Sequence, residues 1–370
     1  MSVFSEVKKN FGFGCMRLPM KDGEVDHDQM CVMVDKFIQA GFNYFDTAHG
    51  YLNKKSEPAL REALVKRYDR SEYILTDKLS GPYFNTNEEI RPLFQAQLDA
   101  CGVDYFDFYL MHSQTAKSFR KFKECRAYET AFELKAEGKI KHVGLSFHDS
   151  AEVLDQILTE YPEIEVVQIQ FNYVDYNDSG VQGKLCYEVC RKHNKPIIIM
   201  EPVKGGSLAG IPDQASAVLA PFGGSSASFA IRYAASFEGV FMVLSGMSNT
   251  EQMDDNLSFM SHFKPLSAEE FKAIDKVVEI LDSIDVIQCT GCSYCTEGCP
   301  KNIPIPSIFN IVNNTRRYST YGGKWWYDFY TGGTRGKASD CIACGQCEDI
   351  CPQKLPIIEL LKNAAEQLEK

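Results

Sequence analysis

Eight short β-rich runs recur between residues 10 and 262, each separated from the next by a stretch with helical spacing, and that alternation restricts the fold more than any other feature. The runs are FGFGCM (11–16), FNYFDT (42–47), YILTDK (73–78), DFYLMH (107–112), HVGLS (142–146), VVQIQF (166–171), PIIIM (196–200) and VFMVLSG (240–246). Between the first two, Met30, Val34, Phe37 and Ile38 share one face of a helix that closes at Gly41. Residues 87–102 read as another helix, with Asn87 as N-cap and Gly102 at its end. Strand–helix alternation builds parallel βαβ units. Eight of them in about 250 residues suit a closed (β/α)8 TIM barrel, an α/β fold. An open doubly wound sheet is the competing fold, but GFGCMR (12–17) lacks the G-x-G-x-x-G spacing of a dinucleotide turn.

The alternation stops near residue 262. Ser267-x-x-Glu270 then has capping-box spacing and opens an amphipathic stretch to 284. Beyond it come two cysteine runs, CTGCSYCTEGCP (289–300) and CIACGQCEDICP (341–352). The expected organisation is a barrel over 1–265, a connecting helix over 266–285 and a small, mainly α-helical cysteine domain over 286–370.

Each run is C-x2-C-x2-C-x3-C-P. Three evenly spaced thiolates wrap one iron–sulfur cube, and the fourth, before Pro, is directed away from it. Two copies therefore predict crossed ligation of two [4Fe–4S] clusters. Cys289, Cys292, Cys295 and Cys351 form one set; Cys341, Cys344, Cys347 and Cys299 form the other. Zinc is the alternative, but it prefers paired C-x2-C sites with four thiolates each. The CPKNIPIP and CPQKLPI tails resemble those of α-helical two-cluster ferredoxin domains, which relay electrons.

The balance of 39 basic against 50 acidic residues gives a net charge of -11, which argues against nucleic acid and anionic membranes as partners. The N-terminal MSVFSEVKKN carries no apolar signal region, and no apolar run approaches the ~20 residues of a membrane span. The expected location is cytoplasmic, where disulfides are rare. The oligomeric state is not legible.

Chemistry in such a barrel sits at the C-terminal ends of the strands. The second run reaches Asp46 and is followed by Tyr51; the third ends in Lys78 and the fourth in His112. Each alone has a dull explanation: a helix cap, a rim aromatic, a structural histidine. Together they form a proton-donating site. An ammonium beside the phenol lowers its pKa, and a carboxylate holds the ammonium. Arg17, after the first run, is as much a rim arginine as a cofactor contact.

With FDTAHGY (45–51), TDK (76–78), YLMH (109–112), VGLSFH (143–148), VVQIQFNY (166–173), EPVKGG (201–206) and SGMSNTEQMDDN (245–256), the chain resembles the aldo/keto reductases over residues ~8–262, in the branch with a C-terminal iron–sulfur domain. The resemblance implies Tyr51 as general acid, Lys78 and Asp46 tuning it, and His112 orienting the substrate oxygen. It implies Ser146 and Gln168 on a nicotinamide carboxamide, with Met200 where an aromatic ring often stacks. It places Lys204, Gly205, Gly206, Ser207 and Leu208 around a pyrophosphate. Gly246, Met247, Ser248, Gln252 and Asn256 fall at the adenosine phosphate. Met247 and Gln252 stand where a basic clamp is usual, and Phe147 replaces an Asn, which weakens strict NADP(H) preference and leaves NAD(H) or a flavin open.

The leading expectation is an NAD(P)H-dependent oxidoreductase that interconverts a small-molecule carbonyl and an alcohol. Its clusters would serve structure, sensing or exchange with a redox partner protein. Two further readings stay open. One is a ferredoxin-linked reductase in which a flavin converts between one- and two-electron steps. The other is a non-enzymatic redox sensor or electron carrier.

Overall fold

The computed structural model of the chain describes residues 3–370, Glu297 without its side chain. Met1 and Ser2, which open the N-terminal stretch read above, lie outside the described residues. The polypeptide divides into two compact units, one of residues 1–205 and 227–271, the other of residues 206–226 and 272–370.

The first unit holds the eight strands: β1 Phe11–Gly14, β2 Tyr44–Asp46, β3 Ile74–Leu79, β4 Phe106–Gln114, β5 Ile140–Phe147, β6 Val166–Gln170, β7 Ile197–Met200 and β8 Val240–Gly246. They close into a barrel in sequence order, every pairing parallel, with β1 hydrogen-bonded to both β2 and β8. Side chains on a strand alternate between faces. The inward set fills the barrel with Tyr44, Ile74, Phe108, Leu110, Val166, Ile198, Met242 and Leu244, joined by Phe4 and Val7 from the N-terminal segment. Space inside is short. A Cβ on Gly144 would lie 2.5 Å from Val166 and 2.6 Å from Leu110, so only glycine fits there.

The helix His27–Gln39 buries Met30, Met33, Val34 and Phe37 and ends ahead of Gly41, whose φ of 84° suits the left-handed cap. The second expected helix starts later than its sequence suggests. Residues Asn87–Glu89 form a 3-10 turn, and the α-helix runs Ile90–Cys101. Asn87 does not cap it: its amide donates to Cys125 O and Thr130 Oγ1, both at 2.8 Å. Ser267 and Glu270 do form reciprocal bonds, at 2.7 and 3.2 Å, at the start of the helix Ala268–Ser283.

The second unit is helical. Ile305–Arg317, Gly323–Tyr330 and Ile357–Leu368 pack Ile308, Phe309, Ile311, Val312, Tyr327 and Leu361 into one core. In the aromatic KWWYDFY segment, Tyr327 is buried while Trp325 is 63% exposed. Among the described residues, no helix is long and apolar enough to cross a membrane.

Candidate functional site

The two-residue period of the strands carries several polar side chains to one end of the barrel. Asp46 lies two residues above Tyr44, Lys78 four above Ile74, His112 two above Leu110, and Gln168 two above Val166. All follow the inward-facing positions of their strands.

Lys78 is the centre of the group. Its ammonium donates to Asp46 Oδ1 at 2.6 Å and to Thr47 O at 2.7 Å. Three N–H groups leave one to spare. Tyr51 lies beside it, its ring centre 5.0 Å from Nζ. Lys78 is 1% exposed and Asp46 3%. Burial disfavours the charge on Lys78, but Asp46 and Tyr51 outweigh it and hold the ammonium above its ordinary range. Burial lifts Asp46 despite the pull of Lys78. For Tyr51 burial is again the largest influence: Lys78 draws the phenol down, Asp46 pushes it up, and the net direction is up. The lowering expected from the sequence is present but outweighed, so Tyr51 keeps its proton at neutral pH. Leu52, Asn53 and Lys54 follow it at φ of 51°, 54° and 68°, a left-handed turn that stores backbone strain beside the site.

The His112 ring meets that of Tyr51 edge-on, centroids 5.9 Å apart. Its Nδ1 is 2.6 Å from Ser80 Oγ. Burial, with help from Lys78, pushes its pKa down to about 3, so the imidazole is neutral.

These groups border a cleft of about 590 Å³, lined also by Arg17, Gln168, Met200 and Gly246. That lies within the roughly 300–1,000 Å³ of small-molecule binding pockets. The mixed lining, apolar Met16, Pro82 and Leu244 with Arg17 and several hydroxyls, suits a molecule with both aromatic and charged parts.

The eight cysteines of the two runs fall into two sets. One cavity is lined by Cys289, Cys292, Cys295 and Cys351; a second by Cys299, Cys341, Cys344 and Cys347. Each takes three sulfurs from one run and the last from the other. No three of the described His, Cys, Asp and Glu side chains stand close enough to hold a single ion. A zinc site would require that, whereas a four-iron cube needs its thiolates spread around a larger body. Ile305, Phe309 and Leu355 line the first cavity and Ile303, Ile358 and Leu361 the second, an apolar shell suited to a cluster.

The aldo/keto reductase family matches residues 10–279, and a 4Fe-4S dicluster domain matches residues 288–355. The chain belongs to the aldo/keto reductase family. It is an oxidoreductase with a 4Fe–4S domain. Among its relatives are an NADH-specific methylglyoxal reductase of Escherichia coli, 27% identical over 52% of this chain and 62% of that protein, and an uncharacterized oxidoreductase of Bacillus subtilis, 25% identical over 71% and 90%. The chain thus spans less than two-thirds of the first relative's length. Its barrel is similar to a holo-form aldo-keto reductase from Bacillus halodurans (TM-score 0.59, 24% identity, 72% of this chain and 91% of that one). It is also similar to one from Klebsiella pneumoniae in complex with NADP and acetate (TM-score 0.58, 19% identity, 72% and 90%).

Not every residue expected at a reductase cofactor site reaches the cleft. Ser146 stands beside Gln168 across the β5–β6 ladder, and its hydroxyl accepts from Ser113 N at 3.4 Å. Lys204 turns to buried Asp175, 2.5 Å away, and Gly205 (φ 64°) sits near the Arg17 guanidinium. Gly206, Ser207 and Leu208 belong to the second unit. Met247 is fully buried, and Asn256 points inward to Ser245 Oγ at 2.9 Å. Ser248 Oγ donates to Arg17 O, while Gln252 Oε1 accepts from Ser248 N. Glu201 and Ser80 were missed. Both directly follow barrel strands, and that position was the signal. Glu201 lines the cleft with φ 55°; burial raises its pKa, and Arg17 opposes the rise.

Proposed function

We propose that the barrel reduces a small-molecule carbonyl to an alcohol with NAD(P)H, or runs the reverse, and that two [4Fe–4S] clusters serve electron exchange with a partner protein. The observation that carries the reading is the ammonium of Lys78, bonded to Asp46 and 5.0 Å from the ring centre of Tyr51 on the wall of the cleft.

A bound dinucleotide would supply the hydride. Arg17, Gln168 and Met200 line the cleft in reach of such a ligand, while Met247, Lys204 and Asn256 are engaged elsewhere and offer no clamp for a 2′-phosphate. NADH is therefore the favoured form, as in the NADH-specific E. coli relative. The carbonyl oxygen accepts two hydrogen bonds in this scheme. With Ser80 donating to Nδ1, the neutral ring of His112 keeps its proton on Nε2 and orients the oxygen. Tyr51 donates its O–H as negative charge grows there. Lys78 stabilises the phenolate left behind, and Asp46 keeps Lys78 in place and charged.

In the second unit, the thiolates of Cys289, Cys292, Cys295 and Cys351 would hold one cluster and those of Cys341, Cys344, Cys347 and Cys299 the other. Clusters so held pass single electrons. Cys292 and Cys344 are exposed, which favours exchange at the surface. We assign the barrel to 1–265, the connecting helix to 266–285 and the cluster domain to 286–370.

The test uses anaerobically purified protein. Mass spectrometry identifies any bound nucleotide or flavin, and NADH and NADPH oxidation is followed against a panel of carbonyls. Tyr51→Phe should lower kcat by about 10²–10⁴-fold with the dinucleotide Kd nearly unchanged. Absence of dinucleotide binding, or full turnover by Tyr51→Phe, would reject the proposal.

A further inference from the structure

The strand β7 runs out into a backbone outlier. Glu201, the residue after Met200, has φ 55°, in the left-handed region that Cβ sterics disfavour. The fold clamps it there. Its carbonyl oxygen accepts from Lys204 N at 3.0 Å and from Asn172 Nδ2 at 3.2 Å. Asn172 is fixed in turn: its Nδ2 also donates to buried Asp175 at 2.8 Å, and its Oδ1 accepts from Asp175 N at 2.9 Å. Lys204 Nζ takes the other carboxylate oxygen of Asp175. Asn172, Asp175 and Lys204 are thus spent on holding the turn. The Glu201 carboxylate is not. Among the described residues it has no hydrogen-bond or ion-pair partner, and Glu201 stands exposed on the wall of the cleft. Backbone strain held by several bonds beside one free charged group is the pattern of a residue placed for a ligand.

The position in the barrel says what that ligand offers. In a closed barrel built in sequence order, β7 stands opposite β3. Lys78 is on β3, Tyr51 follows β2, and His112 lies near the end of β4. Glu201 therefore faces the proton donors from the far wall. A hydride donor has to reach the carbonyl carbon from a side those donors leave open, and β7, β8 and β1 form that side. Arg17, after β1, lines the same wall, and its guanidinium also lacks a hydrogen-bond or ion-pair partner among the described residues. It lies against Gly205, where a Cβ would sit 3.4 Å from Nη2. A guanidinium matches phosphate oxygens. A carboxylate repels phosphate and accepts from hydroxyls, and its two oxygens suit the two O–H groups of a ribose diol. A dinucleotide carries both phosphates and ribose diols. Its carboxamide, a donor beside an acceptor, suits an amide such as Gln168 instead.

We propose that Glu201 selects the cofactor: its carboxylate accepts from a ribose diol of the dinucleotide and keeps phosphate away from that stretch of the cleft, which leaves Arg17 as the phosphate contact. The inference rests on the reading of the barrel as an NAD(P)H-dependent reductase.

Isothermal titration of the anaerobically purified full chain with NADH and with NADPH, at pH 8, tests this. Glu201→Gln, which keeps the shape and loses the charge, should raise the NADH Kd about tenfold or more. NADPH then tells the two riboses apart. If the diol is on the adenosine side, where the 2′-phosphate sits, the variant should bind NADPH better than wild type does. If it is on the nicotinamide side, NADPH should weaken as NADH does. An NADH Kd within about twofold of wild type overturns the proposal, as does an effect confined to KM for the carbonyl. Glu201→Gly separates binding from strain. Glycine adopts φ 55° freely, so the thermal midpoint should hold or rise while NADH affinity falls as in the Gln variant. A lower midpoint with unchanged NADH affinity would make Glu201 structural and overturn the proposal. Wild type that binds neither dinucleotide rejects the reductase reading and this one with it, whereas NADH bound equally by wild type and Glu201→Gln rejects this one alone.

Discussion

Lys78→Met is the sharpest test of the site's electrostatics. Lys78 and Asp46 are both almost fully buried and meet at 2.6 Å. At an effective dielectric of ~20, two unit charges at that distance attract by roughly 6 kcal/mol. Desolvating both ions takes most of this back, so the intact pair is worth little against two well-packed apolar residues. Removing only the ammonium is different. Asp46 Oδ1 and Thr47 O lose their donor together, and Gln168, 3.5 Å from Oδ2, is a weak substitute. The expected loss is about 3–5 kcal/mol. Its pH dependence has a definite sign. Burial already raises Asp46 in the wild type, and without Lys78 it rises further. An acid with a raised folded pKa contributes its stability below the unfolded value and loses it as pH rises through the folded value. The deficit of Lys78→Met should therefore be large at pH 8 and shrink toward pH 5. The double variant Asp46→Leu/Lys78→Met should recover most of the loss. Urea unfolding under anaerobic conditions, at three pH values, measures all of this. A loss under about 1 kcal/mol, a deficit flat in pH, or a double variant no better than the single one would refute the reasoning.

Three further outcomes are expected. Cys299→Ser should damage the cluster built on Cys341, Cys344 and Cys347, because those four residues line one cavity; iron counts and electron paramagnetic resonance would show loss of the other cluster instead if ligation were not crossed. His112 should stay neutral down to about pH 5 by NMR of its ring protons, since its pKa is pushed to about 3. The unfolded state then takes up that proton first, so stability falls as pH drops below ~6.5, by at most ~1.4 kcal/mol per unit. Gly144→Ala should cost about 1–3 kcal/mol by overpacking against Val166 and Leu110, read as a lower thermal midpoint of the barrel.

Much of the site was legible because a barrel strand imposes a simple rule: the last inward residues meet at one rim. Asp46, Lys78 and His112 obey it, each an even number of positions above an inward apolar neighbour. The cysteine sets were legible for a similar reason, since a thiolate before Pro leaves the turn that holds the other three. The helix start at 87 was not, because tertiary partners outbid the local cap: Asn87 finds Cys125 O and Thr130 Oγ1 instead of its own helix. Nor was the protonation of Tyr51. Sequence shows that a cation lies nearby but not how deep the pair is buried, and here depth outweighs charge.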